Sequence, residues 1–485
     1  MSTSFLERIH MPHVFTLLTW VILFCSFLTY IVPSGEYERE TRQIGTSERT
    51  VVKAGTYQSV EKEITATGMV IGAEIEGKAT PVSVIGFLRA IPKGMEESAD
   101  IIFFIFIIGG VFGIFQATGV ISAAIQKLMS IFRRSDTLLT IIIMVVLGAG
   151  GSLLGMGEEF IPLVPIFILV AREMGYDRIY GLAMVEVAAG VGFAAATTNP
   201  FTVSIANNIA ELPLNTGMGM RLVFFAVCMS VAIAYVLRYG RRLKANPDSS
   251  YLKGETDLEH EHFDFQPTPF TGRHAAIIVI CLAIFAFILY AVAALGWWMA
   301  EMAGGFFLMG IVSIIVARLP LNEAAKAFTK GMEEMVVAAL VVGFARGIVV
   351  VLNEGMILDT LIYSAATVLQ AFPKAVGAVG MLVFQTTLNF FIPSGSGQAA
   401  VTMPLMAPLA DLLHISRETA VFAFTCGDGF SNQVIPTSGI LMAMLSLAGI
   451  PYQSWLRFMI PLFLILMGVA TVFLLVAVTV PGVWG

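Results

Sequence analysis

Charged residues are scarce in this sequence. Asp, Glu, Lys and Arg make up 13% of its 485 residues, whereas 57% are hydrophobic and the mean hydropathy is +0.84. A soluble protein carries roughly 25% charged residues, so this chain has too few to cover a surface that faces water. Its apolar runs are continuous, and runs of about 20 residues cross a bilayer as helices. We therefore expect an all-α polytopic membrane protein, with "HVFTLLTWVILFCSFLTYIV" as a retained first span.

The sequence also lacks the signatures of several functional classes. It contains no phosphate-binding P-loop, HExxH or GxSxG motif, and its six histidines show no metal-ligand spacing. No basic patch alternates with aromatics, so we expect no nucleic-acid partner. Four cysteines lie inside apolar runs without paired spacing, which indicates free, buried thiols. They are Cys25, Cys228, Cys281 and Cys426. We expect a protein that is not an enzyme and has no resident cofactor or metal.

The distribution of Lys and Arg predicts the orientation. "KLMSIFRRS", "RYGRRLKANP" and "ARLPLNEAAKAFTK" are basic, whereas "ALGWWMAEMAGG" has neither Lys nor Arg and contains Trp297 and Trp298. Basic loops face the cytoplasm, and tryptophans favour the membrane interface. This pattern places the N-terminus in the cytoplasm of a bacterial inner-membrane protein. The polar segment 34–92 then lies outside, and its strand-like composition predicts a small β-rich cap.

Three matched patterns indicate an internal duplication. "KGMEE" occurs at 93–97 and again at 330–334, and Pro and Arg stand thirteen residues apart in both 165–178 and 404–417. "GFAAATTNP" has its counterpart in "GFSNQVIP". The first copy begins outside and the second inside, so the copies are inverted, as in many secondary transporters. The predicted units are a first span 1–33, an external loop 34–92, repeat one 93–239, a cytoplasmic loop 240–273, a connecting pair of spans 274–329, and repeat two 330–485.

Each copy contains two predicted interruptions at membrane depth. Gly, Ser and Pro cluster in 147–165 and 389–404, which we interpret as tips of re-entrant hairpins, and in 196–208 and 426–439, which we interpret as broken helices. Irregular backbone at this depth must be covered by protein or line a cavity. Two tips and two broken helices therefore predict one central site.

Carboxylates near these interruptions favour a cationic ligand. Glu158 and Glu159 stand at the first tip, Asp428 in the second break, and Glu186 before the first break. Ionisable groups inside a membrane point to function, although a carboxylate can also cap a broken helix or pair with Arg. Hydroxyl and amide groups complete the candidate substrate site, although Ser and Thr also pack quietly between transmembrane helices. These are Thr197, Thr198, Asn199, Ser394, Ser396, Gln398, Asn432, Thr437 and Ser438.

Two further groups of charges have more ordinary interpretations. Arg346 is the strong cation deep inside a predicted span; it would bind a substrate carboxylate or, as we expect, neutralise a carboxylate of the site. The glutamates of both "KGMEE" segments are expected in the first turn of a helix, where they complement the helix dipole.

Several stretches resemble a known family. "GMGEEFIPLVPI", "ATTNPFTV" and "PSGSGQAAVTMPLMAPLADLL" are similar to the YfcC family, the branch of the C4-dicarboxylate anaerobic carrier group, within the ion transporter superfamily, that is described as candidate antiporters of arginine, lysine or ornithine. The likeness covers nearly the entire chain. It implies two hairpins, two broken helices, a scaffold that forms a homodimer, and elevator-like alternating access.

The sequence thus predicts a secondary active transporter for an amino acid, with a basic one as the leading candidate, working by exchange or by coupling to H⁺ or Na⁺. The alternative is a C4-dicarboxylate transporter, as the name of the parent group implies. Dicarboxylate carriers of the superfamily bind through Ser-Asn-Thr motifs, and the tips here read Gly-Met-Gly-Glu-Glu and Ser-Gly-Ser-Gly-Gln. A membrane-embedded sensor or enzyme is a third possibility, since fold alone does not fix function.

Overall fold

The computed structural model describes residues 13–44, 47–131, 135–213, 216–252, 268–480 and 482–484. Arg133 and Arg134 of the first basic loop, and residues 253–267 of the predicted cytoplasmic loop 240–273, lie outside this part of the chain.

The chain begins with one helix and a small cap. Helix α1 (Val14–Ile31) leads into β1 (Ser34–Glu36), β2 (Arg39–Ile44), β3 (Ser47–Val52), β4 (Gln58–Val60) and the short α2 (Ala66–Ile71). Strand β1 pairs with β4 and β2 with β3, both antiparallel. The predicted β-rich cap is confirmed as two small two-stranded sheets.

Two series of helices follow, separated by α11 (Gly272–Leu295) and α12 (Met299–Ala317). The first series is α3 (Val84–Glu97), α4 (Ala99–Ala117), α5 (Val120–Ile131), α6 (Asp136–Leu154), a 3-10 helix (Glu158–Leu163), α7 (Val164–Glu173), α8 (Arg178–Ala194), α9 (Val203–Ile209) and α10 (Met218–Ala245). The second is α13 (Leu321–Glu334), α14 (Val336–Glu354), α15 (Leu358–Leu369), α16 (Lys374–Asn389), α17 (Gly395–Leu412), α18 (Arg417–Ser431), α19 (Gly439–Ala448) and α20 (Tyr452–Thr479).

The two series have the same order of elements. Helices α3 and α13 both have 14 residues, α4 and α14 have 19, α5 and α15 have 12, and α10 and α20 have 28. Eight helices of the described residues are long and apolar enough to cross a membrane: α1, α4, α6, α10, α11, α12, α14 and α20. The chain is therefore a multi-pass, all-α membrane protein, as the composition predicts.

The two series pack against each other along two long, nearly continuous helices. Helix α3 runs into α4 and α13 into α14, with α3 lying on α14 and α4 on α13. A Cβ on Gly94 would lie 2.6 Å from the Gly347 nitrogen, and one on Gly331 would collide with the carbonyl oxygen of Gly109. Small residues thus allow the backbones to touch. Residue numbers rise along one helix as they fall along the other, so the pair is antiparallel.

The "KGMEE" segments occupy a different position from the expected one. Lys93–Glu97 is the last turn of α3 and Lys330–Glu334 the last turn of α13, so the expectation of a first turn is wrong. Helix α3 begins nine residues before Lys93, at Val84, and the hydroxyl of its N-cap Ser83 accepts a hydrogen bond from the Gly86 amide at 2.9 Å. Glutamate at a helix C-terminus opposes the dipole, and Glu97 is compensated by an ion pair with Arg346 at 3.0 Å.

Candidate functional site

Two interrupted helices cross at the centre of the protein. Helix α8 ends at Ala194 and α9 begins at Val203; α18 ends at Ser431 and α19 begins at Gly439. Each gap contains one proline, Pro200 or Pro436, which lacks the amide that a continuous helix needs. We call residues 195–202 the first break and residues 432–438 the second break. An interruption is present in each predicted segment, but both are shorter than the predicted 196–208 and 426–439, because α9 already begins at Val203 and α18 extends to Ser431.

Glycines bring the two interrupted helices into backbone contact. Gly429 of α18 lies directly against Ala194 of α8, and a Cβ on Gly190 would lie 2.7 Å from the Gln433 side chain. Gly427 packs equally closely on Gln385 of α16. The Gly-rich "CGDGF" stretch is therefore helical, and Asp428 lies in α18, four residues before the second break begins. The expected position within the break is corrected accordingly.

Hydrogen bonds join the first break to the end of α6. The Ser152 hydroxyl lies 3.2 Å from both the Thr197 hydroxyl and the Ala195 carbonyl oxygen. The Thr198 hydroxyl donates to the Leu153 carbonyl at 3.0 Å. Asn199 is fully buried and touches Gly155, which takes a left-handed conformation (φ +69°) at the first tip. The first tip and the first break thus form one polar unit.

The second break is fastened to the end of α16 in the same way. The Asn389 side-chain amide donates to the Asp428 carbonyl (2.9 Å), the Ser431 hydroxyl (2.8 Å) and the Asn432 side-chain oxygen (2.8 Å). Ser438 caps α19 by accepting from the Leu441 amide at 3.4 Å.

The second tip places Gln398 and Asp428 together with the first break. Ser394 caps α17 by accepting from the Gly397 amide at 3.3 Å, and Ser396 is half-buried in the next turn. The Gln398 amide donates to the Gln385 side-chain oxygen at 2.7 Å. A Cβ on Gly395 would lie 2.6 Å from Thr202 of the first break and 3.3 Å from Asp428 Oδ2. The second tip therefore lies between the first break and Asp428 of α18.

Many buried polar atoms around this crossing have no hydrogen-bond partner. They are Asn199 Nδ2, Thr202 Oγ1, Gln385 Nε2, Asn389 Oδ1, Gln398 Oε1, both carboxylate oxygens of Asp428, both side-chain polar atoms of Gln433, and Thr437 Oγ1. Buried polar atoms are nearly always satisfied in folded proteins. Their concentration at two breaks and one tip marks a site where a polar or charged ligand would complete the hydrogen bonding.

The two glutamates of the first tip and Asp428 have different described contacts. Glu159 accepts a hydrogen bond from the Gly157 amide at 2.9 Å and lines an apolar crevice of about 630 Å³ formed with α5, α11 and α12. Glu158 is half-buried, and its acidic neighbours are Glu159 and Asp100 of α4. Asp428 contacts the second tip. The structure therefore does not bring the three predicted carboxylates into one described contact.

Glu186 is buried in α8, two turns before the first break, and no described residue forms an ion pair or hydrogen bond with it. Glu186 precedes the first break, as expected from the sequence. Nothing in the described contacts connects it to the tips.

Arg346 does not serve the site as expected. Its guanidinium is 37% exposed and pairs with Glu97, which is not one of the candidate carboxylates. Sequence reasoning selected Arg346 because it stands in the middle of an apolar run.

Arg221 is the buried cation that sequence reasoning missed. It is only 2% exposed, and its Nη1 donates to the Ala196 carbonyl in the first break at 3.3 Å. It is the fourth residue of α10, where it resembles a charge at the end of a span. Its position beside an apolar run was the available signal in the sequence. The burial of its guanidinium becomes visible only in the structure, where α10 packs against the first break.

Comparisons with known proteins agree with the membrane architecture. A family model described as C4-dicarboxylate anaerobic carrier matches residues 11–479. YfcC of Escherichia coli (strain K12), a candidate basic amino acid antiporter, is 31% identical over 473 residues, covering 93% of each chain. An uncharacterized protein of Haemophilus influenzae is 30% identical over 504 residues, covering 98% of this chain and 99% of its own.

Two solved structures are more distantly similar. The YdaH transporter of Alcanivorax borkumensis is 16% identical, with a TM-score of 0.45, over 96% of this chain and 98% of its own. MtrF of Neisseria gonorrhoeae, described within a class of antimetabolite efflux pumps, is 17% identical, also with a TM-score of 0.45, over 98% of this chain and 97% of its own.

Proposed function

Because the chain belongs to the C4-dicarboxylate anaerobic carrier family, and is thus a membrane transporter, we propose that it is not an enzyme and that it moves an amino acid across the bacterial inner membrane by exchange or ion coupling. A basic amino acid, such as arginine, ornithine or lysine, is the first candidate. The name of the Escherichia coli relative supports this choice.

The observation that carries the proposal is the set of partnerless polar atoms where α8 and α18 cross. Asp428 would hold the ammonium group of the substrate there, while the Gln398 side chain and the first break, with Thr197 and Asn199, would hold its other polar groups. A binding site near the membrane midplane, built from broken helices, is typical of secondary transporters.

The paired glutamates of the first tip suggest the place of ion coupling. Glu158 and Glu159 are neighbours in the chain, and the charge of Asp100 acts on Glu158. Adjacent carboxylates compete for one cation. We propose that this group binds the coupling ion, H⁺ or Na⁺, separately from the substrate.

The architecture supports an alternating-access mechanism. The matched order of elements and the antiparallel long helices are what two inverted repeats would produce. We propose that the two series are inverted repeats, that the tips and breaks move past the long helices in an elevator-like step, that the chain forms a homodimer, and that its N-terminus is cytoplasmic.

A C4-dicarboxylate is the second candidate substrate. Arg221, and the N-terminus of α17 at the second tip, would each favour a carboxylate. The family name points in the same direction. Against it stands Asp428, whose charge would repel a dianion.

Exchange in proteoliposomes tests the proposal. Purified protein is reconstituted with internal unlabelled ornithine, arginine, lysine or succinate, and uptake of the same labelled compound is measured with and without a Na⁺ or pH gradient. Exchange of basic amino acids supports the proposal. Exchange of succinate alone would replace it with dicarboxylate transport.

A further inference from the structure

Arg221 and Trp455 occupy matched positions in the two series of helices. Arg221 is the fourth residue of α10 and Trp455 the fourth residue of α20. Arg221 donates to the carbonyl of Ala196, the second residue after α8, at 3.3 Å. Trp455 Nε1 donates to the carbonyl of Gln433, the second residue after α18, at 2.9 Å. Both side chains therefore cap the backbone of a broken helix.

This comparison separates the capping role of Arg221 from its charge. The second break is capped by a neutral indole N–H, so the shared role requires one donor and no charge. A buried guanidinium is costly unless an anion compensates for it. The positive charge at the first break thus needs a second explanation.

No described carboxylate provides that compensation at ion-pair distance. Arg221 lies 6.0 Å from the Phe422 ring centre, and its Nε has no hydrogen-bond partner. Glu418, in the first turn of α18, attracts it from beyond ion-pair distance. A carboxylate brought by a ligand would supply the missing anion.

The opposite charge is equally unpaired on the other interrupted helix. Asp428 is fully buried and neither of its carboxylate oxygens accepts a hydrogen bond. It precedes Gly429, which touches Ala194 two residues before the carbonyl that Arg221 caps. Two buried charges of opposite sign thus flank one helix crossing without pairing with each other.

We infer that Arg221 and Asp428 bind the two opposite charges of a zwitterionic substrate, with its carboxylate at the first break and its ammonium group beside Asp428 of α18. The inference rests on the proposed amino acid transport and adds the orientation of the substrate. It makes Arg221 a specificity-determining residue, because an amine without a carboxylate leaves the guanidinium unpaired.

Amino acids and the amines derived from them test this orientation directly. Dissociation constants are measured on the purified protein for ornithine and putrescine, arginine and agmatine, and lysine and cadaverine. In each pair the amine lacks only the carboxylate. We expect at least one amino acid to bind on the order of 10- to 100-fold more tightly than its amine, the range for a hydrogen-bonded charge. Equal binding within every pair would overturn the inference.

Variants then assign this preference to the charge of Arg221. Arg221→Gln retains a donor for Ala196 but removes the charge, so it should weaken amino acid binding and leave amine binding unchanged. Trp455→Phe, the matched control, should keep the preference of the wild type. Equal weakening of both ligands by Arg221→Gln would reduce Arg221 to a capping residue.

Two further measurements distinguish failure of this inference from failure of the proposed amino acid transport. If Arg221→Gln does not fold, the methyl ester of ornithine is tested on the wild type, and ester binding as tight as that of ornithine overturns the inference. Binding of succinate with no binding of any amino acid refutes the proposed amino acid function itself, and the inference with it. Amino acid binding without a preference over amines refutes only the inference.

Discussion

Asp428 is the residue on which substrate binding should depend most strongly. Its carboxylate is fully buried and lacks hydrogen-bond donors, so Asp428→Asn removes the charge without breaking a described side-chain contact. We expect amino acid affinity to fall roughly 10- to 100-fold, with a melting temperature close to that of the wild type. Asp411→Asn, at an exposed pair with Arg417, is the control. Unchanged affinity in Asp428→Asn would exclude Asp428 from the site.

The pair of Arg346 and Glu97 should stabilise the fold without taking part in transport. Both side chains are about one-third exposed, and Arg346 Nε lies 3.0 Å from Glu97 Oε2. We expect Arg346→Gln and Glu97→Gln each to lower the melting temperature slightly, and the double variant to cost less than the sum of the two. A coupling of about 0.2–1 kcal/mol is usual for such a pair. Loss of uptake in Glu97→Gln alone would show that this pair does more than hold α3 to α14.

At the residue scale, the sequence predicts where the polar groups of the candidate site lie more accurately than it predicts which residues they contact. The residue types and their spacing in "ATTNP" and "PSGSGQ" predict the first break and the second tip, because Gly and Pro change the backbone conformation at their own positions. Arg346 and Arg221 show the limit of this reasoning. Which of two arginines is buried depends on how α10 packs against the end of α8, and no local pattern encodes that contact.

At the scale of elements, the crossing of the long helices depends on glycine. A Cβ on Gly94 would meet the backbone of Gly343 and Gly347. Gly94→Leu should therefore lower the stability by about 1–3 kcal/mol or more, because the main chains must separate. Gly304→Leu in α12 is the matched control, since nothing lies within 4 Å of that position. Thermal unfolding compares the two. Equal melting temperatures would contradict the close packing of α3 on α14.

Glycines inside a helix also explain why one element boundary predicted from the sequence is wrong. A run such as "CGDGFSN" has the composition of a helix break, yet Gly427 and Gly429 are helical and serve close contacts with α16 and α8. Gly permits both a break and a close approach, and composition cannot separate the two. The "KGMEE" segments were predicted at the start of a helix because each one precedes a long apolar run. Helices α3 and α13 begin before those runs, so the segments lie at their ends.

At the scale of the whole molecule, the β-rich cap joins parts of the protein that the proposed mechanism would separate. Tyr37 N donates to Asp359 Oδ2 at 2.9 Å, and Arg39 pairs with Asp359 Oδ1 at 3.0 Å, which anchors the cap on α15. Its β2–β3 hairpin also contacts α9 and α17, which follow the first break and the second tip. The cap therefore spans both sides of the proposed moving boundary.

Weakening this anchor should expose the hairpin. Asp359 is 4% exposed, and Asp359→Asn loses the charge that holds Arg39. We expect trypsin added outside proteoliposomes to cleave at Arg39 or Arg42 several-fold faster in this variant, as a loosened loop is cut more readily. Asp136→Asn, which removes an ion pair with Lys244, serves as the control. Equal cleavage rates would show that Asp359 does not hold the cap.

The two series of helices have the matched order of elements that the predicted duplication would produce, while the duplication itself stays a prediction. The matched lengths of α3–α5 and α13–α15 extend the likeness upstream of Lys93 and Lys330. The different contacts of Glu158 and Glu159 on one hand and of Asp428 on the other could not be predicted in this way. They depend on which tip meets which break, a question of contacts between the two series of helices.

Thermal stabilisation of the purified protein by a panel of amino acids and dicarboxylates, with and without Na⁺, tests the central claim most directly, because a ligand stabilises the state that it binds. Binding of a basic amino acid by Asp428 predicts a shift with ornithine, arginine or lysine that is lost in Asp428→Asn. A shift with succinate or fumarate, and none with any amino acid, would contradict it.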